Sequence, residues 1–579
     1  MENNPIQGKA VIYQLFVRLF GNKNDNNKIF GKIDENGCGK FNDINEAALN
    51  SIEKLGATHI WFTGIIEHAT CTDYSGFNIP NDNPAIVKGI AGSPYAIKNY
   101  YQVDPDLADD VDNRMTEFEN LIERCHNKGL KVIIDFVPNH VARHYYTNNI
   151  SDNIEAFGKN DDSNKSFDPQ NNFYYLPGNS FVIPEEVNNL PYTNSDDINN
   201  YKESPAKATG NDCFSNKPSI NDWYETVKLN YGVDYQNNKE KHFDPLPSTW
   251  QKMTHILLYW AEKGVDGFRC DMAEMVPAEF WNHAISKVKA KHPDSLFIAE
   301  IYNPNAYKEY IETGKFDLLY DKEGLYNTLR NIIEGNATAR LLTLCWQNLN
   351  GLDAKMLRFL ENHDEQRIAS SHFADDPWRG IPAMVLCTTF NKGAVMNYFG
   401  QELGERAQGE TGYSGDDGRT SIYDYCSLPP VIKWNNNGAF NEEKLDENTG
   451  QLRQKYSDIY TLAKRPEIMN GNFYDLMWVN PDHEEFAGNH IYTYLRYTDE
   501  KVILFVINFS KDELLRTRIK IPEDFFELAN LNDYFDVFGK DILNAEKMFT
   551  CDKNELLNNG LVINAEANTA YAFELEFLK

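Results

Sequence analysis

Three carboxylate side chains stand where apolar segments of the sequence end. Asp271 lies in the segment GFRCDMA, Glu300 in the apolar run LFIAEI, and Asp364 in ENHDE. Two carboxyl groups held in different environments can act as nucleophile and general acid on a glycosidic bond. A third anion beside them would stabilise the positive, oxocarbenium-like transition state of that reaction.

Residues that could orient these carboxylates occur in the same segments. Arg269 lies two positions before Asp271, so in a strand both side chains point to one face, and the guanidinium favours the ionised carboxylate that a nucleophile needs. Burial at a strand end and the nearby charge of Asp271 instead favour a protonated Glu300, which suits a general acid. His140, in DFVPNH, and His363 are placed to hydrogen-bond sugar hydroxyls.

These segments need a scaffold, and the sequence alternates short apolar runs with helical stretches. The helical stretches Asn113–Lys128 and Ser248–Lys263 each end at a glycine, which is typical of a helix C-terminus. Apolar runs separated by helices indicate a parallel sheet covered on its outer face, and eight of them indicate an α/β fold, the closed (β/α)8 TIM barrel, whose active site lies at the carboxyl ends of the strands. The predicted strands are Ala10–Phe16, His59–Gly64, Lys131–Val137, Gly267–Met272, Leu296–Ile301, Phe316–Tyr320, Met356–Leu360 and Ala394–Phe399.

Two parts of the 579-residue chain depart from this alternation. After the third predicted strand the chain is polar and without helical period, which predicts an inserted subdomain over residues 141–244. After about residue 470, short alternating strands predict a C-terminal antiparallel β-sandwich domain over residues 470–579. The catalytic barrel is then expected to comprise residues 1–140 and 245–469.

Charge and cysteine content limit the partners and the compartment. The net charge of −30 argues against nucleic acid, since a field of that sign repels phosphate backbones. No apolar run approaches the ~20 residues that cross a bilayer, so we expect no membrane partner. The N-terminus lacks a secretion-signal pattern and the nine cysteines contain no CxxC pair, so we expect reduced thiols and a cytoplasmic location.

The four polar segments together resemble the signature regions of the α-amylase family, glycoside hydrolase family 13. DFVPNH resembles the first region, GFRCDMA the second, the strand with Glu300 the third and ENHDE the fourth. The resemblance implies that Asp271 is the nucleophile, Glu300 the acid/base, and Asp364 the aspartate that holds hydroxyls of the distorted sugar. It also implies substrate-binding roles for Tyr95, which would stack on the sugar, and for His140, Arg269 and His363.

Two departures from the family pattern concern specificity and metal binding. Many starch-cleaving members have Lys-His shortly after the nucleophile, where this chain has Glu274-Met275, so acceptor-side binding should differ. Asn139 matches a family calcium ligand, whereas Lys228 stands where many calcium-dependent members have an aspartate, and an ammonium there would oppose a cation. We therefore expect no required cofactor and leave a structural calcium at Asn139 open.

The resulting prediction is a retaining hydrolase that acts on α-1,4-linked glucans or maltooligosaccharides by double displacement. A glucanotransferase with the same carboxylates is the nearest alternative, because a retaining enzyme transfers to sugar when sugar occupies the acceptor site better than water does. An alternative from another class is a non-catalytic sugar-binding protein, although relatives of that kind typically lack the carboxylates. Endo or exo action, branch preference and oligomeric state stay open.

Overall fold

A barrel of parallel strands forms the centre of the computed structural model, which describes residues 9–147, 155–480, 485–531, 533–544 and 547–578. The strands follow one another around the barrel in chain order and close between the first and the last. Their bounds are Val11–Phe16 (β1), His59–Thr63 (β2), Lys131–Phe136 (β3), Gly267–Cys270 (β4), Leu296–Ala299 (β5), Leu318–Tyr320 (β6), Met356–Arg358 (β7) and Ala394–Tyr398 (β8). The predicted TIM barrel is therefore confirmed, and each predicted strand is present.

Helices follow the barrel strands and cover them. The two helices predicted from glycine signals are present. Gly129 follows the helix Arg114–Asn127, and Gly264 follows the helix Ser248–Glu262. Their φ angles of 71° and 95° lie in the left-handed region that ends a helix. The helices are Glu46–Leu55 (α1), Arg114–Asn127 (α2), Ser248–Glu262 (α3), Ala278–Lys291 (α4), Tyr307–Glu312 (α5), Asn327–Ile333 (α6), Leu342–Asn348 (α7), Ile381–Thr389 (α8), Pro429–Asn435 (α9) and Glu447–Leu462 (α10).

Side chains of the barrel strands contribute to two apolar layers. Ile12, Ile298 and Leu357 belong to a buried cluster that fills the barrel. Tyr13 and Phe297, which neighbour two of them along the strands, belong to the larger cluster shared with the helices. Because both faces of each strand are covered, the strands are continuously apolar rather than alternating.

The chain after β3 forms short antiparallel pairs instead of continuing the barrel. The pairs are His140–Ala142 with Thr226–Lys228, Tyr175–Leu176 with Ala206–Lys207, and Val233–Asp234 with Glu240–Lys241, and a short helix spans Ser195–Asn200. The first pair sets Lys228 opposite His140. This inserted region therefore reaches the carboxyl end of β3 and contributes to the surface above the barrel.

Antiparallel sheets follow the barrel, as the sequence predicts. The strands are Asn472–Asp475 (β9), Ile491–Tyr497 (β10), Val502–Asn508 (β11), Leu515–Ile519 (β12), Asp536–Asp541 (β13), Met548–Asp552 (β14), Leu561–Ala565 (β15) and Thr569–Leu578 (β16). One sheet has the order β9-β10-β11-β16-β13-β14, and a second pairs β12 with β15.

A buried arginine joins the larger sheet to the barrel. Arg496, on β10, is inaccessible to solvent and donates only to backbone carbonyl groups. Two of these, of Thr389 and Asn391, belong to the turn between α8 and β8, and the others lie at the start of the sheet region, at Ile468, Gly471 and Asn472.

The described residues contain no helix long and apolar enough to cross a membrane.

Candidate active site

Strand register brings the predicted carboxylates to one end of the barrel. Cys270 at the end of β4 is paired with Ala299 at the end of β5. Asp271 and Glu300 are therefore the next residues on adjacent strands and leave the barrel at the same level. The Glu300 N–H donates to the Cys270 carbonyl at 3.2 Å, which extends the pairing past the strand ends. Asp364 follows β7 at the same end.

A cavity of about 310 Å³ opens at this end of the barrel. Its lining contains the three predicted carboxylates together with three of the four predicted sugar contacts, Tyr95, His140 and His363. Residues that the sequence analysis did not assign complete the lining: Lys88, Ser93, Trp223, Glu225, Thr226, Met272, Tyr302, Ile422 and Tyr423. The structure thus brings together side chains from seven well-separated stretches of sequence around one space.

Arg269 lies beneath this cavity rather than in its lining. The residue is inaccessible to solvent, and its Nη1 donates to Asp271 Oδ1 at 2.9 Å. Its Nη2 forms an ion pair with Glu300 Oε2 at 2.7 Å, and its Nε donates to the Tyr320 hydroxyl at 3.1 Å. Arg269 was expected to bind the sugar. In this geometry it instead holds two carboxylates in fixed positions.

The environment of Asp271 leaves one of its oxygens free. While Oδ1 accepts from Arg269, Oδ2 has no hydrogen-bond partner among the described residues. Burial raises the pKa of Asp271 well above its ordinary value; Arg269 opposes this shift, and the charges of Glu300, Asp135 and Asp364 reinforce it. Arg269 thus favours the ionised form of Asp271, as the sequence predicts, but burial and the neighbouring carboxyl groups outweigh its effect.

Glu300 is held by two donors besides Arg269. Its Oε2 accepts from the Met272 N–H at 2.8 Å, and its Oε1 accepts from the Tyr302 hydroxyl at 2.6 Å. Tyr302 was not predicted from the sequence. Its position two residues after Glu300 was the available signal, because residues two apart in an extended segment point the same way.

The neighbours of Asp364 lower its pKa further below neutral pH. Burial acts to raise the pKa of Asp364, but the adjacent His363 ring outweighs it and lowers the value to about 2. His363 Nε2 lies 2.9 Å from Asp364 Oδ2 and 2.6 Å from the Tyr95 hydroxyl oxygen. The Tyr95 and His363 rings stack with their centroids 5.2 Å apart, which gives the cavity one aromatic wall. The Asp364 side chain is 39% exposed, towards the cavity.

The inserted region supplies another part of the cavity lining. His140 contacts the Trp223 ring at a centroid distance of 5.3 Å, and burial, aided by the charge of Lys228, lowers the pKa of His140 to about 3. A neutral imidazole of this kind can donate or accept a hydrogen bond from a sugar hydroxyl at neutral pH. Lys88 and Glu225 form a buried ion pair at 3.0 Å in this lining. Neither had a sequence signal, since their segments have no periodic pattern.

The residue suggested as a calcium ligand is engaged by a lysine. Lys228 Nζ donates to Asn139 Oδ1 at 2.8 Å and forms an ion pair with Asp212 Oδ1 at 2.5 Å. The ammonium also lies 4.7 Å from the centre of the Tyr235 ring. Because one fixed positive charge already occupies the space between these oxygens, Asn139 and its neighbours do not fit a divalent cation.

A (β/α)8 barrel with this set of carboxylates at the carboxyl ends of its strands defines the class of the protein as a glycoside hydrolase. The sequence model of the α-amylase catalytic domain matches residues 14–454. The chain therefore belongs to the α-amylase family, and the resemblance noted from its four segments is confirmed.

Individual relatives agree with this assignment. The chain is 25% identical over 471 residues to α-amylase 3 of Dictyoglomus thermophilum, a match that covers 77% of this chain and 76% of the relative. It is 22% identical to probable oligo-1,6-glucosidase 2 of Bacillus subtilis, covering 87% and 90% of the two chains. The crystal structure of a noncanonic maltogenic α-amylase, AmyB of Thermotoga neapolitana, superposes over 100% of both chains with a TM-score of 0.60 at 19% identity. At that identity, the superposition shows a shared fold.

Proposed function

We propose that this enzyme is a retaining hydrolase of α-1,4-linked glucans or maltooligosaccharides that works by double displacement. The observation that carries the proposal is the unequal treatment of the two Asp271 oxygens: Oδ1 is held by Arg269, whereas Oδ2 has no partner and belongs to a side chain of the cavity wall. A carboxylate with one fixed and one free oxygen suits nucleophilic attack on an anomeric carbon.

Two steps follow from this arrangement. Asp271 Oδ2 forms a bond to the anomeric carbon while the glycosidic C–O bond breaks and Glu300 gives its proton to the leaving oxygen. Water then attacks the same carbon, Glu300 takes its proton, and the bond to Asp271 breaks, so the anomeric configuration is retained overall.

The remaining cavity residues would hold the sugar. The anionic Asp364 accepts hydrogen bonds from its hydroxyl groups, and its charge stabilises the positive transition state. His140 and His363 bind further hydroxyls, and the Tyr95 ring provides an apolar face. Arg269 acts as a positioning residue, since it touches the carboxylates and not the cavity.

The acceptor side differs from the common amylase pattern in a defined way. Glu274 accepts hydrogen bonds from the Tyr302 N–H at 3.3 Å and the Asn303 N–H at 3.2 Å. Its carboxylate therefore joins the loop that follows the nucleophile to the loop that follows the acid/base. A carboxylate held in this way offers no cation to a sugar on the acceptor side. We include in the proposal a preference for short or terminal acceptor sugars, and no requirement for calcium at Asn139.

The nine free cysteines also support the proposal of a reducing, cytoplasmic location, which cell fractionation tests.

The decisive experiment is a timed digest of maltoheptaose by the wild type and by Asp271→Asn, with product length and anomeric form followed by NMR. We expect shorter products in the α-anomeric form from the wild type and no turnover by Asp271→Asn, which should still bind maltoheptaose. A β-anomeric first product, or a wild-type rate in the variant, contradicts the mechanism. Products longer than maltoheptaose would assign the glucanotransferase activity instead.

A further inference from the structure

A second cavity lies at the end of the barrel opposite the active site. It has a volume of about 800 Å³, within the range of small-molecule sites. Its barrel residues, among them Asp353, Asn391 and Lys392, come immediately before β7 and β8, whereas the catalytic residues come after the strands. Since β8 has five residues at ~3.3 Å each, the two sites are separated by roughly the length of a strand, about 16 Å, and this cavity cannot extend the catalytic one.

Aromatic rings of the barrel and the C-terminal sheet form the walls of this second cavity. Trp478, after β9, is 56% exposed, an unusual degree for the largest apolar side chain. Tyr474 and Tyr497, also in the lining, both pack on Phe525 with ring centroids 5.3 Å apart. Trp346, on α7, completes the set. Because the other rings are fixed, the surface next to Trp478 is rigid before any ligand arrives.

Polar groups stand between these rings, and several fix them in place. Asp475 Oδ2 accepts from the Trp346 indole N–H at 2.9 Å, and Asp524 Oδ2 accepts from the Tyr474 hydroxyl at 2.8 Å. Asp353, also in the lining, forms an ion pair with Arg358 at 3.6 Å.

The chemistry of the lining selects the class of ligand. Three carboxylates and one lysine give it a negative balance, which disfavours nucleic acid and other polyanions. An exposed indole with fixed tyrosine rings suits a flat, partly apolar surface, and the side-chain amides of Gln347, Asn391 and Asn472 suit hydroxyls. A neutral ring with apolar C–H faces and hydroxyl edges, the glucosyl unit, satisfies both demands.

We propose that this cavity, between α7, the barrel turns before β7 and β8, and the C-terminal sheet, is a non-catalytic binding site for a segment of α-glucan chain. The proposal rests on the proposed function for the identity of the sugar. Such a site would hold a polymer on the enzyme while its free end reaches the catalytic cavity at the other end of the barrel, so it raises the effective concentration of long substrates and leaves short ones unaffected.

The test compares polymer and short substrate in Trp478 variants of the full chain. We expect Trp478→Ala to raise the KM for amylopectin about tenfold, equivalent to about 1.4 kcal/mol of binding, with kcat and KM for maltotriose unchanged. Trp478→Phe keeps an aromatic face and should retain most of the affinity. Phe535→Ala removes another exposed ring, 68% exposed and absent from this lining, and serves as the matched control.

Binding is measured separately, by retardation in native gels that contain amylopectin, with each Trp478 variant and the control in the Asp271→Asn background. Loss of retardation in Trp478→Ala alone supports the site. Equal retardation in all variants, or equal loss on amylopectin and maltotriose, overturns it. Failure of the wild type to cleave either glucan would contradict the proposed function, and the gel would still decide whether Trp478 binds amylopectin.

Discussion

Replacement of Lys228 by methionine is the sharpest test of the proposal that this lysine, and not a metal ion, holds the inserted region. Lys228 is 1% exposed and joins Asn139, after β3, to Asp212 in the insertion. Loss of a hydrogen bond to a charged group costs about 1.5–3 kcal/mol. Asp212 is 29% exposed, so water screens it, and its lost ion pair adds no more than about 1 kcal/mol. We expect Lys228→Met to lower the free energy of unfolding of this region by about 3 kcal/mol.

The assay is hydrogen exchange and limited proteolysis of the insertion in mild urea, with and without EDTA. Lys241→Met is the matched control, because Lys241 forms an exposed ion pair with Glu279 at 2.7 Å that should contribute less than about 1 kcal/mol. The wild type should keep its activity and its exchange rates in EDTA. Inactivation of the wild type by EDTA, or equal stability of the two lysine variants, would refute the reasoning that the Lys228 ammonium takes the place of a metal ion.

Two further predictions concern the acid/base and the response to pH. Tyr302→Phe removes the hydrogen bond to Glu300 Oε1, so kcat on maltotriose should fall about tenfold or more with little change in KM; a change confined to KM would contradict a role at the acid/base. Burial, aided by the charge of Lys131, lowers the pKa of His59 to about 3, below the ordinary ~6.5 of an unfolded chain. Between these two values the unfolded chain binds a proton at His59 and the folded state does not, so stability falls as the pH falls below about 6.5. Protonation of His59 in the unfolded chain should lower the free energy of unfolding by about 1.4 kcal/mol at pH 5.5 relative to pH 7.5. His59→Gln should therefore show a smaller shift of the urea midpoint between pH 7.5 and 5.5, and an equal shift would contradict this assignment.

The barrel strands were predictable because burial on both faces imposes short, continuous apolar runs, and helical stretches separate these runs. The carboxylates at their ends were predictable for the same reason: a charge directly after such a run must lie at the rim. Three strands of the C-terminal sheet, Asn472–Asp475, Asp536–Asp541 and Met548–Asp552, were not predicted, because each carries several polar or exposed residues and lacks a clear alternation.

Other features depend on contacts that no local pattern encodes. Lys88 and Glu225 meet only when the inserted region folds back over the barrel, and Lys228 reaches Asn139 across 89 positions of sequence. The sequence shows that Arg269 acts to lower the pKa of Asp271, but not the burial and the neighbouring carboxyl groups that raise it. Spacing indicates which groups meet, whereas desolvation appears only once the packing is known.

Arg496 bears on how members of this family can exchange parts. Its guanidinium lies on the sheet but is satisfied by main-chain oxygens of a barrel turn as well as of the sheet region itself. A chimaera that carries only a foreign C-terminal sheet would place a buried cation against a turn whose backbone was shaped for another partner, or leave those oxygens without a donor. The smallest segment that recombination can transplant without this conflict is therefore the sheet together with the turn before the last barrel strand.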